Sequence, residues 1–251
     1  LSERTESTSL IVRLVFAGTV LAVLAAVTTM LSGFGTQSEW WDFRIGFMML
    51  KWGAYSAAVA GVLCLGGGMW ASTSGRYRSA VVAAAGLLLS MIVMGIPWSW
   101  KHTVSEVPPI HDISTDLVSP PGFVAILPLR RSAPNSATYG GPEIAAQQRD
   151  AYPDIISLAL DRPTDRVFAQ AIDVIDHIGW ELVDASRGDG RIEATDTTFW
   201  FGFKDDVVIR IVSSNGGSRV DVRSVSRVGR SDVGSNAERI RAFLAAMGTQ
   251  E

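Results

Sequence analysis

The stretch DVVIRIVSSNGGSRVDVRSVSR, residues 206–227, decides the soluble fold. Val207, Ile209 and Ile211 alternate with polar neighbours, and beyond the Gly pair so do Val220 and Val222. A period of two puts one set of side chains on one face of a strand. Between the two runs, Asn215-Gly216-Gly217-Ser218 is a hairpin signal, because Asn and Gly accept the left-handed backbone of a tight turn. Counting outward from that turn sets Arg210 opposite Asp221 as a cross-strand ion pair. The alternation predicts an antiparallel sheet with one wet face.

On the N-terminal side, RIEATDTTFWFGF (191–203) and WELVDAS (180–186) read as two more strands, joined by a turn at RGDG (187–190). Before them, PTDRVFAQAIDVIDHIGW (163–180) reads as a helix with Pro163 in its first turn. Its apolar stripe is Phe168, Ala171, Ile172, Ile175 and Ile178, Gly179 stops it, and His177 falls off the stripe. IISLALDRP (155–163) reads as a strand entering a turn. On the C-terminal side, SNAE (235–238) is a capping box, in which Ser235 caps a helix and Glu238 reaches back. Ile240, Phe243, Leu244 and Met247 give that helix its buried stripe, and Gly248 ends it. Strand, helix, several antiparallel strands and helix make an α+β domain over residues 154–251, with two helices against one sheet face.

Upstream, residues 101–153 hold eight of the ten prolines. Proline fixes φ and lacks the amide donor, so the stretch is expected to be an extended linker without long helix or central strand. GFVAILPL (122–129) is too apolar for a free tether, so the linker is expected to dock on its own domain or on a partner. Within it, PPIHDISTD (108–116) brings His111, Asp112 and Asp116 together. A turn in which Asp and Ser bond their own backbone accounts for this pattern better than a metal site, since no second His completes one.

The first hundred residues carry three apolar runs, 10–31, 45–70 and 79–98, each long enough for a spanning helix, which needs about 20 residues. Arg13 and Lys51 lie near run ends, where their stems let the charge reach the headgroups. Trp40, Trp41, Trp70, Trp98 and Trp100 fall at helix ends as an aromatic belt. Arg4, Arg13, Arg76 and Arg78 share one side of the membrane, while Glu39 and Asp42 stand against Arg44 in the other loop. The positive-inside rule then puts the N-terminus in the cytoplasm, although Lys101 on the far side weakens the asymmetry. The C-terminal domain falls in the periplasm of a Gram-negative inner membrane. Gly53, Ala57 and Gly61 form a small-residue stripe on the second helix, suited to close packing on a helix of this chain or of another protein.

Composition narrows the function classes. Only 19% of the residues are charged and the net charge is -3, which gives no case for nucleic-acid binding. Cys64, the one cysteine, sits in an apolar run, so neither a disulfide nor a cysteine-held metal is available within the chain. The polar stretch RSVSRVGRSDVGSNAERIR (223–241) is where chemistry would lie. It reads first as a rigid strand-to-helix joint, in which Arg223 and Arg227 are expected to reach Asp205 or Asp206. Asp232 and Asn236 are alternative caps there. A second reading is a site for an anionic headgroup or a partner's carboxylate, built from Arg223, Arg227, Ser231, Asp232, Asn236, Asp205 and Asp206. Catalysis is the third reading. Ser224, Ser226 and Ser231 have no His in the motif to activate them, and the adjacent Asp205 and Asp206 point to opposite faces of a strand.

WFGFKDDVVIRI (200–211) followed by VDVRSVSRVGRSDVGSNAERIRAFL (220–244) resembles the signature of domain-of-unknown-function family 1499. The family's Asp-Asp-Val strand matches Asp205, Asp206 and Val207. Its Arg-Ser-x-Ser-Arg-x-Gly strand end matches Arg223, Ser224, Ser226, Arg227 and Gly229, and its Ser-Asp-x-Gly-x-Asn matches Ser231, Asp232, Gly234 and Asn236. PPIHDISTD resembles the opening of membrane-anchored bacterial members, while a Cys found near the start of many relatives is absent here. The resemblance covers roughly residues 108–247. It implies a bacterial or plastid setting and no agreed activity. The expected function is a non-enzymatic accessory or assembly subunit of a larger membrane complex, without a cofactor, whose partners are other membrane subunits and lipids. The alternatives are a periplasmic module for a lipid or other amphipathic ligand and, third, a hydrolase. A pocket opening beside Arg223 and Arg227 would favour the ligand module.

Overall fold

The computed structural model describes residues 2–249. The side chains of Arg4 and Lys101, which enter the orientation argument, lie outside the described residues. The chain forms two compact units, 1–102 with 199–202, and 103–198 with 203–251.

The first unit consists of α1 (Ser2–Gln37), α2 (Phe43–Thr73) and α3 (Tyr77–Glu106), the last running past the unit boundary and containing Pro97. All three are long and apolar enough to cross a membrane. α1 continues through residues 32–37, so the first loop is shorter than the apolar runs imply. Asp42 starts α2, its Oδ1 accepting the Arg44 N–H at 2.9 Å. Small residues let the helices touch: a side chain at Gly18 would meet the Leu63 Cβ at 2.9 Å, and one at Gly67 would meet Val15 at 2.4 Å. Arg13 and Lys51 are exposed on the outside of the helices, and the Lys51 Nζ lies 5.9 Å from the Tyr55 ring centroid. Residues 199–202 group with these helices. Trp200 Nε1 donates to the Met30 carbonyl at 3.1 Å, and Phe199 meets Phe34 edge-to-face at 5.7 Å. Gly33 leaves the space that Trp200 occupies, since a Cβ there would lie 2.2 Å from the indole.

The second unit is an α+β domain. Its elements are β1 (Asp112–Ser114), a 3-10 turn (Leu127–Arg130), α4 (Pro142–Ala151), β2 (Leu158–Leu160), α5 (Thr164–Ile178), β3 (Glu181–Ser186), β4 (Arg191–Thr197), β5 (Lys204–Ser214), β6 (Gly217–Ser226) and α6 (Ser235–Thr249). The sheet is antiparallel in the order β1-β6-β5-β4-β3, with β2 also pairing β6. The β5–β6 hairpin turns at Asn215 and Gly216, at φ 49° and 86°, and Arg210 pairs with Asp221. Gly179 takes φ 81° at the end of α5. Ile192, Ala194, Val207, Ile209, Ile211, Val220 and Val222 face α5 and α6, where Val167, Phe168, Ile175, Ile240, Phe243 and Met247 close the main core.

Four expectations change. The strand 191–203 ends at Thr197, because the 198–203 connection folds back, Thr198 bonding Phe203. Pro163 sits at the N-cap of α5, one residue before the helix. Gly248 does not stop α6, which reaches Thr249. The outer sheet face is not wet: Phe123 and Ile126 cover Val208 and Val225. Residues 101–106 continue α3, and the stretch 107–153 is built into the domain, supplying β1 and α4. Its prolines flank these elements, with Pro142 in the first turn of α4, where a missing amide costs nothing.

Candidate functional site

Asp205 and Asp206 follow Lys204 at the start of β5, and the alternation of the strand sends them to opposite faces of the sheet. The 223–241 motif consequently forms two clusters, one on each face.

On the outer face Asp206 is fully buried. Its Oδ1 accepts Thr195 Oγ1 at 2.8 Å and Arg227 Nη2 at 2.7 Å, and its Oδ2 accepts Arg227 Nε at 2.8 Å and Arg130 Nη1 at 2.6 Å. Arg130 also donates to the carbonyls of Val225 and Ser226, which ties the 3-10 turn to β6. Burial raises the Asp206 pKa, but hydrogen bonds from Arg227, Thr195 and Arg130 outweigh it and hold the group below the usual carboxylate value. Arg223 does not reach Asp205 or Asp206. The β1–β6 register sets Asp112 across from Val225, and Arg223 forks onto Asp112 through Nε and Nη2, both at 2.8 Å. Its remaining donors go to the carbonyls of Pro121 and Ala137, at 3.2 and 2.8 Å. The rings of Phe123 and Tyr139 flank the guanidinium, each centroid at 5.3 Å. Burial, with Asp112 nearby, pushes the Tyr139 phenol up to about 12.

On the helix face Asp205 pairs with Arg239 at 2.7 Å, not with Arg223 or Arg227. Arg239 also holds Asp196 and donates to Ser224 Oγ and Asn236 Oδ1. Asn236 Nδ2 donates to the His111 carbonyl and to Ser226 Oγ, both at 3.0 Å. The last strand, the last helix and the residue leading into β1 are thus joined by one buried side chain.

The joint between β6 and α6 is capped by Asp232, not by the Ser235–Glu238 box. Asp232 Oδ1 accepts the Gly234 N–H and Oδ2 the Asn236 N–H, both at 2.9 Å, while Ser235 Oγ donates to the Asp232 carbonyl. Burial raises the Asp232 pKa and these two amides oppose it, leaving it above the ordinary value. Val233 takes φ 57°, a left-handed conformation unfavourable for a β-branched residue. Ser231 Oγ accepts the Val233 N–H at 3.2 Å and faces the Pro108 carbonyl at 3.4 Å. Among the described residues none of the Ser224, Ser226 and Ser231 hydroxyls hydrogen-bonds an imidazole, and no group of three His, Cys, Asp or Glu side chains is placed to hold a metal.

The 108–116 stretch serves the sheet and a turn. Asp112 is taken by Arg223, and Asp116 Oδ1 accepts the Val118 and Ser119 amides at 3.0 and 2.9 Å. In the membrane unit, the stripe on α2 meets helices of its own chain: Gly53 faces Thr29, Ala57 packs with Ala25 and Val93, and Gly61 faces Leu87 and Ser90.

Sequence pattern alone does not mark Arg130, Glu193 and Arg239. Glu193, fully buried, accepts the amides of Val124, Ala125 and Ile126 at 2.8 to 3.1 Å and so fixes the covering segment. A charged residue in mid-strand, flanked by Ile192 and Ala194, was the available signal.

No curated protein matches the chain. The model of the family described as "Protein of unknown function (DUF1499)" matches residues 112–247, from Asp112 of the Arg223 pair to the end of the α6 stripe. That span holds both ion-pair clusters and covers more than half of the sequence, so the chain belongs to the DUF1499 family, here joined to three helices able to cross a membrane.

Proposed function

We propose that the protein is a non-enzymatic, membrane-anchored accessory or assembly subunit of a larger membrane complex. The observation that carries this reading is the closure of the family motif on itself. Arg223, Arg227 and Arg239 are each taken up by carboxylates, and Ser224, Ser226 and Asn236 bond one another. Groups held in this way build a rigid domain and leave no activated nucleophile. The expected partners are other membrane subunits, with lipids around the helices.

The loop charges support an N-terminus in the cytoplasm and a C-terminal domain in the periplasm, in a bacterial inner membrane. Gly188 is exposed and has room for a side chain, and Cys64 is buried, so a Gly188→Cys variant carries one reactive thiol. A membrane-impermeant maleimide should label it in intact spheroplasts; labelling only after lysis would reverse the orientation. Purification from native membranes in mild detergent, followed by mass spectrometry, tests the subunit reading. A stoichiometric protein partner is expected, and a chain that consistently purifies alone would sink the proposal.

A further inference from the structure

A cleft of about 440 Å³ opens away from the motif, between the turn after β1 and the segment joining α4 to β2. Neither Arg223 nor Arg227 lines it. Its volume falls in the range of small-molecule sites, about 300–1,000 Å³.

The apolar walls are held out into solvent by polar anchors. On one side Thr115 exchanges two hydrogen bonds with Val222, each 2.9 Å. Asp116, gripped by Arg210 at 2.9 Å, organises the next turn through its bonds to the Val118 and Ser119 amides. Val118 is left 95% exposed on a turn that cannot fold it inward. On the other side Ile155 enters the core, and Ser157 Oγ donates to Asp221 at 2.5 Å. Ile156 between them is consequently turned out, 65% exposed. Two exposed apolar side chains, each on a pinned turn and both lining the cleft, form a surface suited to an alkyl chain.

The charges are unequal. Asp116 and Asp221 are matched by Arg210 and Arg219, with Arg219 Nε 3.2 Å from Asp221. Arg149, exposed on the rim at the end of α4, has no carboxylate within ion-pair distance among the described residues. We propose that this cleft binds a single-chain amphiphile with an anionic head. The chain lies against Leu117, Val118 and Ile156, and the head meets Arg149 with Arg219 beside it. The proposal goes beyond the subunit reading and stands without it.

The test uses the full chain in phosphatidylcholine nanodiscs, which avoids a competing detergent, and a decanoate bearing a diazirine. Wild-type protein should be crosslinked at 115–118 and 153–157, in addition to background on the helices. Excess decanoate should abolish the cleft crosslinks and decanol should not. Arg149→Gln should lower them at least tenfold without changing the urea midpoint, Arg149→Lys should retain part, and Ile156→Ser should lower them with Arg149 intact. Crosslinks confined to the helices, unchanged yield in Arg149→Gln, or equal competition by decanol would each overturn the proposal. Whether decanoate or decyl phosphate competes at lower concentration identifies the head as a free carboxylate or a lipid-like phosphate, and either supports the site.

Discussion

If the motif arginines hold the domain together, Arg223→Met must unfold it more readily. Arg223 is 3% exposed and its fork onto Asp112 closes β1 against β6. Removing one partner of a buried pair costs about 3–5 kcal/mol, because the other charge is left uncompensated. The carbonyls of Pro121 and Ala137 also lose a donor, at about 1 kcal/mol or more each where water cannot replace it. A loss of about 5–7 kcal/mol is expected, a large part of the ~5–15 kcal/mol that holds a typical domain. Asp112→Asn should cost less, about 2–3 kcal/mol, since the guanidinium keeps both carbonyls and both flanking rings. The double variant should cost less than the sum, with a coupling of about 1–3 kcal/mol. Pulse proteolysis of the full chain in urea reads these differences. At a slope of about 2 kcal/mol per molar, Arg223→Met should move the midpoint down by about 3 M. A midpoint unchanged within about 0.5 M, or strictly additive variants, would refute the structural role and return Arg223 to the ligand-binding reading.

Four further outcomes follow from the same contacts. Asp232→Ala removes the acceptor of two helix-start amides and should cost about 1–2 kcal/mol in urea denaturation, whereas Ser235→Ala should stay within about 0.5 kcal/mol; the reverse order would restore the capping box. Val233→Gly should stabilise the domain by about 1 kcal/mol, because glycine accepts the left-handed conformation; a loss would show that the valine side chain outweighs the strain. Asp206 and Asp116 have folded-state pKa values below their ordinary ones, so their contribution is present above the unfolded pKa of about 4 and is lost as pH falls through the folded values. As far as these two groups decide it, the urea midpoint should hold from pH 7 to about 5 and drop below about pH 4; a flat acid limb would contradict the pairing. Gly33→Leu should expel Trp200 from its place on α1, lowering the melting temperature in detergent and red-shifting the tryptophan emission; unchanged emission would mean that the indole does not sit there.

What could be read from sequence was set by local periodicity. The hairpin, α5, α6 and the three apolar helices each announce themselves within one window of residues, and the structure forms all of them. The partner of Arg223 did not, because Asp112 lies 111 residues away and only the β1–β6 register brings it near. β1 was hidden because three residues are too few to show a period and the prolines around it argued against a strand. The covering of the outer face was hidden for a related reason. Thr195, Asp206, Arg210 and Asp221 are polar and suggest solvent, yet they are buried or half-buried because carboxylates and guanidiniums meet one another there. A polar strand face tells that its groups need partners, and it does not tell whether water or protein supplies them.

The double-sided use of Asp205 and Asp206 explains why the motif needs its parts together. One dipeptide on β5 serves two layers at the same level of the sheet. Asp206 holds Arg130 and Arg227, and with them the segment over the outer face, while Asp205 holds Arg239 of α6 on the other. These are buried or mostly buried forks and branches, and a lysine has neither the planar geometry nor enough fixed donors to replace an arginine in them. Asn236 adds the third tie by bonding both β6 and His111, the residue before β1, from the helix. Each tie closes a long sequence separation, so the helix layer, the sheet and the covering segment are fixed to one another where the motif lies. The two adjacent carboxylates of β5 thus divide the work, one layer of the domain to each.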